Sequence, residues 1–305
     1  MRIDLTKELG ITDFDDEIEY YAEYIEGSDA YKISINGSEV FLKDWCDIED
    51  IHAELIAAQM LDILNIPRCE IAIGLISGKE YLLSYPSYEE SQEFVSGERL
   101  FWEFYANNPD FVNENPDFYG KEETKEFNHL HSIWGILEWY IKEHSIENVS
   151  IKKLLDDLID QFLFSQINDI PDFHSNNWGL LHKGNSLSIY PKFDNEMLEK
   201  HFRELEIIGT NTMGVSSVSM HQTPTSILEK FLYISEDAYL KRAEEMIRKL
   251  MSVGISNIIN TVENKWNIKI GKKDIFVTNY TNRLNLVESM VEEVRDQKAS
   301  TRSKK

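Results

Sequence analysis

Three polar side chains in one stretch of the sequence have types and spacing suited to phosphoryl transfer. Asp172 and Asn177 lie five residues apart, and Asp194 follows a segment around 183–185 that is typical of a short hairpin. Phosphoryl transfer needs a carboxylate to orient the attacking hydroxyl and oxygen ligands that hold Mg²⁺ against the phosphates. The order Asp, Asn, hairpin, Asp is the order that kinase catalytic sites use.

A charged pair further upstream fits the same chemistry. Lys43 ends an apolar strand pattern, and Glu54 lies on the helix predicted to follow. A Lys–Glu ion pair is how kinases hold the lysine that contacts the phosphates. Gly27 and Ser28 precede the first strand of this region, where glycine lets backbone amides approach a phosphate.

The elements that must position these residues begin with a β-rich region. Residues 31–43 alternate apolar and polar around Asn36-Gly37, which predicts a hairpin. Asp47 is a helix cap, and apolar residues at helical spacing predict a helix to about Leu64. A second hairpin turns at Ser77-Gly78. Residues 1–86 are therefore predicted to form a small lobe of strands plus one helix.

The rest of the chain is predicted to be mainly helical. Residues 87–126 are rich in polar and aromatic residues and contain two prolines, which favours loops with short helices rather than a second sheet. Apolar periodicity predicts helices near 129–144, 150–168, 235–253 and 279–296. We predict an α+β fold, with a helical lobe over 87–297 and a disordered basic tail over 298–305.

Composition excludes several classes of protein. The two cysteines, Cys46 and Cys69, suggest no disulfide framework or zinc site, and we expect buried free thiols. The N-terminal residues lack a signal-peptide pattern, which favours a cytoplasmic protein. The net charge of −23 opposes general binding to nucleic acid, because such binding depends on basic side chains.

Other candidate sites are weaker. Residues 209–216 imitate a phosphate-binding loop, but Val215 stands where the lysine must be. The Ser- and Thr-rich residues 209–226 follow Asp194, where a kinase has its activation segment; a flexible polar loop is the simpler interpretation. His174 could bind a metal together with His182, although a structural role in its turn is favoured.

Taken together, the motifs resemble those of HipA-like (HipA/CtkA-type) bacterial serine/threonine protein kinases. That family has an Asp-Arg-His-x-x-Asn-(Trp/Phe)-Gly loop, then an apolar residue followed by Phe-Asp and Asn or Cys. This chain has Asp172-Phe-His-Ser-Asn-Asn-Trp-Gly179 and Phe193-Asp194-Asn195. The resemblance extends to Phe41-Leu-Lys43 and to the helix around Glu54, and it spans roughly residues 27–296.

The resemblance implies a two-lobed, protein-kinase-like fold and ATP-dependent phosphorylation of protein hydroxyls, with ATP and Mg²⁺ as cofactors. It also implies a role for each candidate residue: Asp172 as catalytic base, Asn177 and Asp194 as magnesium ligands, Lys43 as phosphate contact with Glu54 as its partner, Gly27 and Ser28 near the phosphates, and Ser84, Tyr85 and Pro86 as a hinge against the adenine.

The chain departs from the family pattern at Phe173, which replaces arginine, and at Ile170-Pro171 before the catalytic aspartate. A non-catalytic ATP-binding module is therefore one alternative. A phosphoinositide-type lipid kinase shares the motifs, but the acidic charge opposes docking on anionic membranes. Because HipA relatives are often toxins paired with a small DNA-binding antitoxin, the resemblance also implies an antitoxin-type or regulatory protein partner.

Overall fold

A computed structural model provides the structure of the chain. It describes residues 2–10, 23–25, 30–43, 47–87, 91–110, 125–170, 173, 175–202 and 223–303. Gly27, Ser28, Cys46, Asp172, His174 and residues 203–222 lie outside this part, so the predictions made for them remain predictions.

The first lobe is built on a mixed sheet of six described strands. Their spatial order is β1-β5-β6-β4-β3-β2, with β1 parallel to β5 and all other pairs antiparallel. A short helix, α1 (Leu5–Leu9), follows β1. The strands are β1 Arg2–Asp4, β2 Glu23–Ile25, β3 Ala30–Ile35, β4 Ser38–Lys43, β5 Glu70–Ile76 and β6 Lys79–Tyr85.

Local sequence signals determine the turns and the helix of this lobe. Asn36-Gly37 and Ser77-Gly78 all have positive φ angles, as tight hairpin turns require. Helix α2 (Ile48–Leu64) begins with a capping box between Asp47 and Asp50 and ends at Asn65 in the left-handed conformation. Both predicted hairpins and the predicted helix are confirmed.

A second sheet corrects the prediction for residues 87–126. Strand β7 (Glu93–Ser96) pairs with β8 (Gly179–Lys183), which pairs with β9 (Ser186–Ile189). The sequence pattern missed β7 because it has only four residues and its partner lies far along the chain. Gly179 allows the close pairing, since a Cβ atom there would lie 2.5 Å from the Val95 carbonyl oxygen.

The second lobe is mainly helical, and the four predicted helices are present. Helices α6 and α8 were not predicted, and α9 is longer than its apolar pattern indicated. The described helices are α3 Gly97–Asn107, α4 Lys125–Glu143, α5 Ile151–Ile167, a 3-10 helix Glu196–Phe202, α6 Pro224–Ile234, α7 Asp237–Val253, α8 Ile255–Trp266 and α9 Lys273–Arg302.

Residues 298–303, the described part of the predicted disordered tail, are ordered. Helix α9 continues to Arg302, and Lys298 Nζ donates to the carbonyls of Leu232 and Ser235 at 2.9 and 2.6 Å. Arg302 forms an ion pair with Asp237 at 2.6 Å. Basic side chains at a helix C-terminus thus find acceptors between α6 and α7, and the disorder prediction was wrong for residues 298–303. The lobe boundary at residue 86 remains a prediction.

Two apolar cores lie on opposite faces of the first sheet. The smaller contains Val40, Leu42 and Leu83, and the larger contains Leu82 and continues through α2 into the helices of the second lobe. Cys69 is a buried free thiol, as expected. Across the described helices, no stretch combines the length and apolar character needed to cross a bilayer.

Candidate active site

Lys43 is directed to the side of the first sheet that faces α2. Val40 and Leu42 belong to the small core on the other face, so strand alternation turns Lys43 away from it. Its Nζ atom lies 2.5 Å from Asp194 Oδ1 and 4.0 Å from Glu54 Oε1. The three predicted site residues are thus brought together, with the lysine closer to Asp194 than to its predicted partner.

Glu54 connects helix α2 to the loop that contains Asp194. Its side chain is only 5% exposed, and its two carboxylate oxygens accept from the backbone N–H and the side-chain amide of Asn195 at 2.6 and 3.3 Å. A buried carboxylate needs such donors, since an unpaired buried charge is strongly unfavourable. Asn195 belongs to a motif in the sequence, but its contact with Glu54 was not predicted.

The loop before Asp194 is held by both lobes. Lys192 N–H donates to the Pro67 carbonyl at 2.8 Å, and Cys69 N–H donates to the Lys192 carbonyl at 3.0 Å. On the other side, the Gln161 side chain of α5 donates to the Tyr190 carbonyl at 2.8 Å. Asp194 follows with a φ angle of 62° in the left-handed region, which is uncommon for a non-glycine residue and is often seen at functional sites.

Asn177 is placed at the same end of the β8–β9 hairpin as Asp194. Leu180 pairs with Ile189, and Tyr190 N–H donates to the Gly179 carbonyl at 2.8 Å, so the residues before β8 and after β9 are neighbours. The Asn177 side chain is buried, and the adjacent Trp178 carbonyl accepts from Gly97 N–H at 2.9 Å. Helix α3 therefore anchors the end of the loop that contains Asn177.

The donor set fits magnesium on chemical grounds. Asp194 offers carboxylate oxygens and Asn177 an amide oxygen, the hard ligands that Mg²⁺ prefers when phosphates supply the others. Asp194 already faces one cation, the ammonium of Lys43, and its side chain is 25% exposed. The described residues contain no group of three His, Cys, Asp or Glu arranged to hold a metal by themselves.

His182 has both ring nitrogens occupied by protein groups. Nε2 lies 2.9 Å from the Gly184 carbonyl, to which it can only donate, so Nδ1 accepts from the Tyr140 hydroxyl at 3.2 Å. Burial raises the pKa of Tyr140 to about 12, which keeps its proton available for that bond. These contacts oppose the alternative in which His182 binds a metal with His174.

The predicted hinge residues lie where the chain leaves the first sheet. Ser84 pairs with Phe41 and Ile71, Tyr85 ends β6 and Pro86 follows it. The next residue, Ser87, donates its backbone N–H to the Tyr190 hydroxyl at 2.9 Å. This segment thus passes from the strand beside Lys43 toward the second sheet, while its contact with adenine remains a prediction.

A partly buried ion pair that the sequence did not reveal lies three residues before Asp172. Asp169 has a φ angle of 60°, and its carboxylate lies 2.5 Å from Lys200 Nζ and 3.9 Å from Arg283. The Lys200 side chain is 3% exposed and comes from the 3-10 helix that follows Asp194. The pair joins the start of the predicted catalytic loop to the segment after the loop that contains Asp194, which we call the metal loop after its predicted role.

Helix α9 holds the C-terminal end of α5, which the predicted catalytic loop follows. Arg283 Nε donates to the Ile167 carbonyl at 3.0 Å, and its other nitrogens bond to Gln166 O and Thr225 Oγ1. Tyr280 donates to the Asn168 side chain, while His201 Nε2 donates to the Asn168 carbonyl at 3.2 Å. Burial lowers the pKa of His201 to about 4, so this ring is neutral near pH 7.

The fold is similar to those of kinases of known structure. The sequence matches no protein-family model and no curated protein. Its structure is similar to the crystal structure of the Helicobacter pylori proinflammatory kinase CtkA, with TM-score 0.56, 14% identity, and coverage of 90% of this chain and 98% of that one. It is also similar to HipA in a Shewanella oneidensis toxin–antitoxin complex with HipB and operator DNA, with TM-score 0.53, 15% identity, and coverage of 90% and 67%. The chain therefore has the two-lobed α+β fold of the HipA-family kinases.

Proposed function

We propose that this protein is an ATP-dependent serine/threonine protein kinase of HipA-like type. The observation that supports this best is the convergence of Lys43, Glu54 and Asp194 in a fold shared with kinases. These residues come from a strand, a helix and a loop that are distant in sequence, and they are of the types that phosphoryl transfer uses.

The proposed reaction is a direct transfer. The acceptor hydroxyl oxygen attacks the γ-phosphorus of ATP, the bond from that phosphorus to the β–γ bridging oxygen breaks, and ADP leaves. The hydroxyl proton passes to Asp172. Asn177 and Asp194 would hold Mg²⁺, which offsets phosphate charge when bound. Lys43 would then move from Asp194 to the phosphates, near Gly27 and Ser28, while Ser84, Tyr85 and Pro86 line the adenine.

The test is incubation of the purified chain with Mg-ATP, followed by intact-mass and peptide mass spectrometry. Phosphate should be incorporated by the unmodified chain and by Glu292→Gln, a control on the exposed face of α9. Asp172→Asn and Asp194→Ala should incorporate none while remaining folded. Full activity in Asp194→Ala would contradict the metal assignment.

A non-catalytic ATP-binding module is a second candidate, and one observation favours it. Phe173 stands where the family has arginine, and it is fully buried, so the catalytic loop lacks that cation. Such a module would be thermally stabilised by Mg-ATP and transfer no phosphate to itself or to a generic protein substrate. Transfer by the unmodified chain would exclude this candidate.

A protein partner forms part of the proposal. The HipA neighbour was solved in complex with HipB and operator DNA. By analogy we propose that this chain binds a small antitoxin-type or regulatory protein, which the acidic charge favours if the partner is basic. Co-expression with the product of an adjacent gene, followed by size-exclusion chromatography, tests this; separate elution would contradict it.

A further inference from the structure

Two buried side chains of opposite character meet between the predicted catalytic loop and the metal loop. Phe173 belongs to the catalytic loop and is 0% exposed, and Lys192 lies two residues before Asp194 and is 1% exposed. Lysine is almost never fully buried unless its ammonium is compensated, because desolvating the charge is unfavourable. The position of Lys192 therefore needs a physical reason.

The contacts of the Lys192 ammonium supply that reason. Nζ lies 5.1 Å from the centroid of the Phe173 ring, within the range of a cation–π interaction. It also donates to the carbonyl of Phe193 at 2.9 Å, directly before Asp194. One ammonium thus contacts both loops, stacking on one and hydrogen-bonding the other.

Both ends of this contact are held in place. The Lys192 backbone is hydrogen-bonded to Pro67 and Cys69, and the Phe173 ring packs on Phe162 of α5 with centroids 6.1 Å apart. A side chain whose backbone and partner are both fixed has little freedom to adopt another arrangement. The separation of the two loops is therefore set partly by this pair.

The two positions also exchange residue types relative to the family motif. In the motif that this sequence resembles, arginine precedes the histidine and an apolar residue precedes Phe-Asp, whereas this chain has Phe173 and Lys192 at these positions. One cation and one apolar group are present in both arrangements. In the motif the cation belongs to the catalytic loop, whereas in this chain it is Lys192 of the metal loop. The departure at Phe173 is matched by a second departure at the residue that it contacts.

We propose that Lys192 is a positioning residue whose buried ammonium, stacked on Phe173, holds the catalytic loop against the metal loop. The proposal rests on the proposed kinase function, since positioning is measured by phosphate transfer. Lys192 acts through the two loops, so its loss affects the alignment of the reacting groups more than the affinity for ATP.

The experiment measures initial rates of phosphate incorporation at varied Mg-ATP, giving a maximal rate and a half-saturating ATP concentration. Lys192→Met keeps the stem and removes the charge; the maximal rate should fall about tenfold to a hundredfold while half-saturation changes less than about twofold. Lys192→Arg should retain at least about a third of the rate, because guanidinium also stacks on aromatic rings.

Lys79→Met is the matched control. Its Nζ lies 4.9 Å from the Tyr81 ring in the β5–β6 hairpin, the same type of contact at a site outside the loops. It should leave the maximal rate unchanged. A rate for Lys192→Met equal to that of Lys79→Met would overturn the proposal.

The reciprocal exchange is the sharpest variant. Phe173→Arg alone brings two cations together in one buried site, whereas Phe173→Arg with Lys192→Leu restores the arrangement of the family motif. The double variant should have a higher maximal rate than the Phe173→Arg variant. If the rate reductions of the two single variants simply multiply in the double variant, the proposal is overturned.

A double-mutant cycle separates this proposal from the kinase assignment; its four proteins are the unmodified chain, Phe173→Arg, Lys192→Leu and the variant with both changes. Their Tm values can be measured whether or not phosphate is transferred. If the unmodified chain transfers none, the proposed function fails, and Lys192 is tested by Tm alone. A double variant that loses less than the sum of the single losses supports the contact, and additive losses overturn it.

Discussion

Glu54 is a buried carboxylate that holds the loop containing Asp194 through two hydrogen bonds. It accepts two hydrogen bonds from Asn195 and lies 4.0 Å from Lys43. We expect Glu54→Gln to lower the free energy of unfolding by about 2 kcal/mol, because the NH₂ group of the glutamine would face one of the two Asn195 donors. Phosphate transfer should fall at least about tenfold, since Asp194 loses its support.

Urea unfolding and the phosphate-incorporation assay test this prediction. Glu49→Gln is the control on the same helix, because Glu49 is partly buried and pairs with the half-exposed Lys272 at 2.6 Å. Stability and activity of the control should stay close to those of the unmodified chain. Equal behaviour of the two variants would show that Glu54 has no special role.

His201 makes stability depend on pH in a defined window. Burial lowers its pKa from 6.5 to about 4, and Lys200, Arg283, Asp169 and Tyr280 are its charged or titratable neighbours. Between pH 6.5 and 4 the unfolded histidine binds a proton that the folded one does not. Stability is therefore present above pH 6.5 and is lost on acidification, by about 3 kcal/mol in total at pH 4.

Urea titrations at several pH values test this against His201→Gln, whose amide can keep the bond to the Asn168 carbonyl. The variant should lose less stability than the unmodified chain between pH 6.5 and 4.5. Burial also lowers the pKa of His52, so part of the dependence should remain in the variant. If the free energy of unfolding falls with pH equally in the two proteins, His201 is not the source of this pH dependence.

The sequence predicted site residues where a motif gave both their order and their context. Lys43, Glu54 and Asp194 are of this kind, and their side chains do meet. The Lys192–Phe173 contact and the Asp169–Lys200 pair were not predicted. Nothing in local spacing shows which distant side chain a buried lysine will contact, because that choice depends on how the elements pack.

At the scale of elements, α9 acts as a cap on α5. The last carbonyls of a helix have no partner within it, and Arg283 of α9 bonds those of Gln166 and Ile167. We expect Arg283→Leu to lower the free energy of unfolding by about 3 kcal/mol, because buried acceptors lose a charged donor. Arg283→Lys should lose less, since one ammonium can still reach a carbonyl.

Chemical denaturation with hydrogen exchange at residues 164–170 measures this effect. Arg295→Leu serves as the control, because Arg295 lies on the same helix and is half exposed beside Glu244. The Arg283→Leu variant should exchange faster at the α5 end, and the control should not. Slow exchange there in both variants would contradict the capping role.

Elements were predictable where their signals are local. The two hairpins contain their own turn residues, and α2 contains its own caps. Strand β7 was missed because its partner is distant, and the C-terminal end of α9 was missed because polar composition alone suggested disorder. There the helix is stabilised by contacts of Lys298 and Arg302 with α6 and α7, which only the packed structure reveals.

For the whole molecule, the C-terminal residues combine contact and charge. The protein has a net charge of −23, and residues 298–305 include four of its basic residues. Their removal increases repulsion within the acidic body and also removes the bonds of Lys298, which is largely buried beside Leu232 and Ser235. A disordered tail would have only the first effect.

Salt separates the two effects, which gives a prediction for a chain truncated after Gln297. At low salt its Tm should lie below that of the unmodified chain by about 5 °C or more. At 1 M salt the Debye length is about 3 Å, so the repulsive part disappears and only the loss from the contacts of Lys298 and Arg302 remains. A chain truncated after Ser303 loses two basic residues and keeps those contacts, so its Tm deficit should vanish at high salt. If both truncated chains recover fully in 1 M salt, the contacts of Lys298 and Arg302 contribute nothing and the acidic charge alone accounts for the effect.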